Sequence, residues 1–128
     1  MYRRKRLSLR KIPMYRYNLP CIPPSNNRYI GRENRWEYAR TKKEWARMTA
    51  LACSPKPPEP LKRAVVRLTY HFADRRRRDP DNYSGKMILD GLVRAGIIAD
   101  DSFFCIDLQL AAVYDNGGYT EITVEEVL

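Results

Sequence analysis

Val66, Leu68, Tyr70 and Phe72 alternate with Val65, Arg67, Thr69 and His71, the two-residue period of a strand with one face on a core and the other toward solvent. A strand is therefore predicted from Ala64 to Phe72, with His71 on its outer face. A shorter strand is predicted over Tyr15 to Leu19, stopped by Pro20, and Pro23-Pro24-Ser25-Asn26-Asn27 then reads as a turn. Residues 34–52 change period: Trp36, Ala39, Trp45, Met48 and Ala52 broadly follow a helical repeat, with Arg40, Lys42, Lys43 and Arg47 as its basic side. The four prolines between Ser54 and Pro60 remove backbone donors and make that segment an extended connector. Residues 83–95 read as a second helix with Ile88, Leu89, Leu92 and Val93 toward the core, Gly96 at its C-cap, and Lys86, Asp90 and Arg94 on the opposite stripe. Ile106 to Tyr114 and Tyr119 to Val127 flank Asp115-Asn116-Gly117-Gly118, a hairpin signal. The order β-α-β-α-β-β predicts one α+β domain in which two helices cover one face of a small mixed sheet.

At 128 residues the chain suits a single compact domain. No apolar run approaches the roughly 18 residues of a membrane span. The basic start, Met-Tyr-Arg-Arg-Lys-Arg, is followed by no apolar h-region, so a cytoplasmic location is expected. The net charge of +9 points to a polyanionic partner, nucleic acid before anionic membrane, because no helix pairs a basic face with a bulky apolar one. Six Lys and Arg fall in the first eleven residues. Residues 1–14 thus read as a flexible arm, for phosphate contact or for solubility, ahead of a domain over 15–128. Cys21, Cys53 and Cys105 are too few and too scattered for a disulfide framework or a zinc site, so reduced, buried thiols are expected. His71 is the single histidine; without a nucleophile motif beside it, a surface or packing role outweighs catalysis.

Chemistry concentrates in Arg75-Arg76-Arg77-Arg78-Asp79-Pro80-Asp81-Asn82, then Lys86, then Asp100-Asp101. An extended backbone around Pro80 would point the Asp79 and Asp81 carboxylates the same way. Clustered carboxylates raise one another's pKa unless a cation neutralises them, and a hard divalent ion such as Mg²⁺ is the natural cation. Such an ion would assist phosphodiester hydrolysis, with Lys86 placed to neutralise the scissile phosphate or the leaving oxygen. Plain structural readings stand beside these. Asp79 or Asp81 would favour the N-terminus of the next helix, Lys86 would pair with Asp90, and the arginines would form a solvated face. A helix of about 13 residues would also leave Asp100 and Asp101 far from Asp79 and Asp81, so convergence does not follow from the sequence.

At these residues the chain resembles the RusA family of Holliday-junction resolvases, small endodeoxyribonucleases often encoded by phages and prophages. Arg75-Arg76-Arg77-Arg78-Asp79-x-Asp81-Asn82, Lys86 and Asp90, Ala95-Gly96 and Asp100-Asp101 occur in the family's order, and Pro23-Pro24-Ser25-x-Asn27-Arg28-Tyr29 resembles its N-terminal signature. The resemblance runs over roughly residues 18–128 and implies a homodimer of α+β subunits that cuts a four-way junction symmetrically with Mg²⁺ or Mn²⁺, in DNA recombination and repair. It implies Asp79, Asp81 and Asp101 as metal-binding catalytic carboxylates, Asp100 and Asp90 as second choices, and Lys86 as the catalytic lysine. One extra residue lies between Asn82 and Lys86, and the arm before Tyr15 is longer than the family needs. Arg75 to Arg78, Lys42 and Lys43 would grip phosphates, with affinity that falls steeply with salt. Neither a membrane nor a small-molecule cofactor is expected. A non-catalytic nucleic-acid-binding protein and a nuclease for flaps, forks or plain duplex remain alternatives.

Overall fold

The computed structural model describes residues 13–29 and 35–128. Residues 1–12, and with them nearly all of the expected basic arm, lie outside this range. The described elements are β1 (Met14–Leu19), a 3-10 turn (Asn26–Tyr29), α1 (Arg35–Ala52), β2 (Ala64–Phe72), a second 3-10 turn (Pro80–Asn82), α2 (Lys86–Arg94), β3 (Ile106–Tyr114) and β4 (Tyr119–Glu126). The element order is the expected β-α-β-α-β-β.

One four-stranded sheet forms in the order β1-β4-β2-β3. β2 pairs parallel with β3 and antiparallel with β4, and β4 pairs antiparallel with β1, so the sheet is mixed. The alternation along β2 decides its sidedness: Ala64, Val66, Leu68, Tyr70 and Phe72 are buried together with Tyr17, Leu19, Ile122 and Val124. Trp45 of α1 and Met87, Ile88, Leu89 and Leu92 of α2 complete the same core. Arg16, Arg67, Gln109, Glu121, Thr123 and Glu125 line the other side of the sheet. Among the described residues, no helix is long and apolar enough to cross a membrane.

The expected hairpin does not form. β3 and β4 are separated by β2, because β2 carries the continuous apolar face and is paired along both edges. The Asp115–Gly118 link therefore arches over the end of β2, spanning two strand spacings, about 10 Å, with Asp115 N donating to Phe72 O at 3.2 Å and Gly118 N to His71 O at 2.6 Å. His71 lies beneath this arch at 8% exposure. Its Nδ1 lies 2.8 Å from Asp115 Oδ2 and its Nε2 3.2 Å from Glu121 Oε1, while its ring stacks on Tyr119 at 4.1 Å. It is on the outer face as expected, in a packing role.

Burial disfavours the His71 imidazolium, but the hydrogen bonds and charges of Asp115 and Glu121 outweigh that and raise its pKa. A raised folded-state value makes the contribution complete below the ordinary histidine value near 6.5 and lost as pH rises through the folded value. The stability difference between wild type and His71→Gln, followed by urea unfolding, is therefore expected to be largest near pH 5–6 and to shrink above pH 7. A difference that grows with pH would contradict the pairing of His71 with Asp115 and Glu121.

Two helix assignments are corrected. Trp36, expected on the packed stripe of α1, is 78% exposed, and Ala39 is exposed as well. The buried stripe runs through Trp45, Ala46 and Thr49. Trp36 lies nine positions before Trp45, about 2.5 turns, and so on the opposite side of the helix. α2 begins at Lys86 rather than at residue 83, because the chain first makes the Pro80–Asn82 turn and then passes through Gly85 at φ +81°. Its C-terminal end is as expected. Gly96 at φ +80° lets Ile97 N reach Leu92 O and Gly96 N reach Val93 O, the paired bonds of a Schellman cap. All three cysteines are free thiols. Cys53 is buried, with its pKa pushed up to about 12 by desolvation, but Cys21 is exposed, against expectation.

Candidate active site

The loop leaving β2 is organised by its own arginines. Asp74 Oδ1 accepts from Arg76 N at 3.0 Å and pairs with Arg78 Nη2 at 3.0 Å. The Arg76 amide and the Arg78 guanidinium hold the Asp74 pKa below the ordinary carboxylate value. Arg78 also donates to Asp74 O and Arg76 O and lies 4.1 Å over the Phe72 ring, leaving its side chain only 15% exposed. The run of four arginines is thereby divided. Arg78 is occupied in shaping the loop, whereas Arg76 and Arg77 are 77% and 88% exposed. Arg75, also exposed, sits 5.6 Å from the Tyr114 ring.

Asp79 has the extended backbone expected of it, but Pro80, with its preset φ, opens a 3-10 turn in which Asn82 N donates to Asp79 O and Tyr83 N to Pro80 O. The chain between the two aspartates is a turn, so strand alternation does not align their carboxylates. Asp79 Oδ1 takes Arg77 Nε at 3.2 Å. Asp81 is exposed, and among the described residues its carboxylate has no hydrogen bond or ion pair. The turn is anchored from the N-terminal region instead: Asn26 Nδ2 donates to Asp81 O at 3.0 Å and to Ser84 Oγ at 3.2 Å. Neither aspartate caps α2, whose N-cap is Gly85. The helix-capping reading is thus removed for α2, while Asp79 stands at the N-cap of the Pro80–Asn82 turn without a side-chain capping bond.

Lys86 is the meeting point of the other acidic groups. Its Nζ lies 3.3 Å from Asp90 Oδ1 and 3.8 Å from Asp101 Oδ2. The Asp90 hydrogen bond and charge, then the Asp101 charge, raise its pKa. Lys42 Nζ from α1 stands 3.2 Å from Asp90 Oδ2, without hydrogen-bond geometry, so that buried oxygen has an ionic neighbour and no hydrogen bond. The expected i,i+4 pair of Lys86 and Asp90 is present, and Asp101 joins it from beyond the nine-residue α2 and the Ile98 bridge to Leu61. Lys43 and Asp100 are exposed.

Of the predicted site residues, the structure joins Lys86, Asp90, Asp101 and Lys42 into one cluster, and it leaves Asp79 with Arg77. Among the described residues, no three His, Cys, Asp or Glu side chains are gathered to hold one ion. The donor set still suits a hard divalent cation in kind, since Mg²⁺ is held through one or two carboxylates, with waters and substrate phosphates completing its shell. One supporting residue, Asn26, escaped sequence reasoning, and one, Arg78, was expected to grip phosphate but shapes the loop. Asn26 reaches the Asp81 turn from 55 residues away, and Arg78 turns onto Phe72; neither contact leaves a periodic or spacing signal.

No protein-family model matches the chain. "Crossover junction endodeoxyribonuclease RusA" of Escherichia coli (strain K12) is 33% identical over 126 residues, covering 88% of this chain and 95% of that protein. The proteins of the same name from Escherichia coli O6:H1 (strain CFT073) and Escherichia coli (strain UTI89) align with the same identity and coverage.

Proposed function

The chain belongs to the RusA family, and from that premise we propose that it is an endodeoxyribonuclease that resolves four-way DNA junctions by paired, symmetric strand cleavage in recombination and repair. The observation that carries this is the match along 95% of the length of RusA. A Mg²⁺ or Mn²⁺ ion would be held by one or two carboxylates drawn from Asp79, Asp81 and Asp101, with waters and substrate phosphates completing its shell and Asp90 and Asp100 as secondary candidates. When bound, the ion supplies an activated water and charge stabilisation on the phosphate.

The chain's own groups have separate tasks in this reading. Lys86, kept protonated by Asp90 and Asp101, presents a fixed positive charge where negative charge develops on the scissile phosphate or the leaving oxygen. Asp90 positions Lys86 and is itself held by Lys42. Asn26 fixes the Asp81 turn, so that carboxylate is presented on an anchored backbone. The exposed Arg75, Arg76 and Arg77, with Lys43 on α1, meet phosphates, and Arg78 shapes the loop that carries them. A two-fold homodimer would place two such sites on symmetric strands.

Incubation of the full chain with a synthetic four-way junction and Mg²⁺ tests the reading. Symmetric nicks that disappear with EDTA are expected, together with weaker binding as salt rises. Salt-sensitive binding without nicks under Mg²⁺ or Mn²⁺ would make the protein a binder, and equal cutting of linear duplex would remove the junction as its target.

A further inference from the structure

We propose that Phe103 and Phe104 form an aromatic wedge that stacks against the bases at the branch point of a DNA junction. This inference rests on the junction-nuclease reading and deepens it. The two side chains are 100% and 86% exposed. Exposing two adjacent phenylalanines forgoes the stabilisation that burying them would give, and an exposed apolar patch of this kind marks a contact surface.

The tip is built, and its backbone is anchored. Ser102 O accepts from Cys105 N and Ile106 N, both at 3.0 Å, and Ala64 N donates to Cys105 O at 2.9 Å. Arg63 Nη1 reaches across from the start of β2 to Phe104 O at 2.6 Å and Phe103 O at 3.4 Å. Both carbonyls are thus engaged, and the tip presents its rings. The same short segment begins with Asp101, which faces Lys86 at 3.8 Å, so the wedge and the candidate chemistry share one piece of chain.

Three features favour DNA as the occupant. The exposed cation Arg63 lies against the tip, the chain carries +9 overall, and phenylalanine is among the side chains that enter base steps. Stacking of a base on an aromatic ring is favourable whatever the base, because every base has a π-face. An intact duplex must be unstacked to gain it, whereas bases at a branch are already less constrained, so the wedge selects branched over linear DNA.

The test uses the full chain in an Asp81→Asn background, which prevents turnover, and a junction carrying 2-aminopurine at the branch. Binding is expected to raise the fluorescence. Phe103→Ala with Phe104→Ala is expected to remove that rise and lower the junction-to-duplex affinity ratio about tenfold or more, whereas Phe103→Tyr with Phe104→Tyr retains both. An alanine pair that matches its parent in fluorescence and affinity ratio overturns the wedge, and so does a tyrosine pair as impaired as the alanine pair. A parent that sediments as a dimer and an alanine pair that sediments as a monomer would assign the surface to a second copy of the chain and likewise overturn it. Wild-type nicking with Mg²⁺ is scored separately: nicking beside an indifferent alanine pair sinks the wedge alone, and a wild type that neither nicks nor prefers the junction sinks both.

Discussion

Asp81→Asn is expected to lower the rate of four-way-junction nicking on the order of a thousandfold, the scale seen when one electrostatic contributor to a charged transition state is removed. Among the candidate carboxylates Asp81 is exposed and takes no partner from the described residues, while its backbone is anchored by Asn26. A carboxylate so placed contributes nothing visible to folding, so thermal stability should stay within about 0.5 kcal/mol of wild type. Junction affinity should hold or tighten, because the change removes a negative charge that faces phosphate. Lys86→Ala should behave similarly in rate, by about a hundredfold to a thousandfold. The two ion pairs it loses are half exposed, and such pairs carry at most about 1 kcal/mol of stability. Single-turnover nicking beside a melting curve separates chemistry from fold. An Asp81→Asn protein that cuts at the wild-type rate would remove this residue from the site.

Gly85→Ala is expected to damage the fold severely for so small a change, costing about 2–5 kcal/mol. The residue sits at φ +81°, and a Cβ there would lie 2.2 Å from Leu68 Cδ1, a fully buried side chain in the middle of β2. The left-handed backbone contributes roughly 1–2 kcal/mol, and displacing a well-packed core residue about 1–3 kcal/mol more. The melting temperature should fall on the order of 10 °C. Gly96 supplies the control, because it has nearly the same φ, +80°, with nothing within 4 Å of its would-be Cβ. Gly96→Ala should therefore lose only the backbone part, about 1–2 kcal/mol. Equal losses at the two positions would show that the Gly85 to Leu68 approach is not tight. The same approach bears on the site, because Gly85 seats Lys86 as the first residue of α2.

The legibility of this protein follows the range of the interactions concerned. β2 was readable to the residue, because alternation is a local consequence of one face being buried. The C-terminal end of α2 was readable from Gly96, which a Schellman cap requires. The start of α2 was not. Tyr83, Ser84 and Gly85 continue an acceptable helical pattern, and the Asp79–Asn82 hydrogen bonds with the Asn26 anchor take the chain into a separate turn. Trp36 misled because apolar character marks a candidate for burial without stating which side of a helix faces the core. In the site, the residue types and their order carried the chemistry, and the i,i+4 spacing carried the Lys86 to Asp90 pair. The approach of Asp101 to Lys86, of Lys42 to Asp90 and of Asn26 to Asp81 depends on how separate elements pack.

By itself the sequence determined the order of the elements, the buried face of β2, the expectation of a polyanionic partner and the family resemblance, all set by local period, by composition or by motif order. Only the tertiary structure decided that β2 lies between β3 and β4, that Arg78 belongs to the loop and not to the solvent, and that Asp79 and Asp81 project from a turn. Each of these depends on which groups distant in sequence satisfy one another's hydrogen bonds, charges or apolar surface, and that competition is settled only when the whole chain is folded.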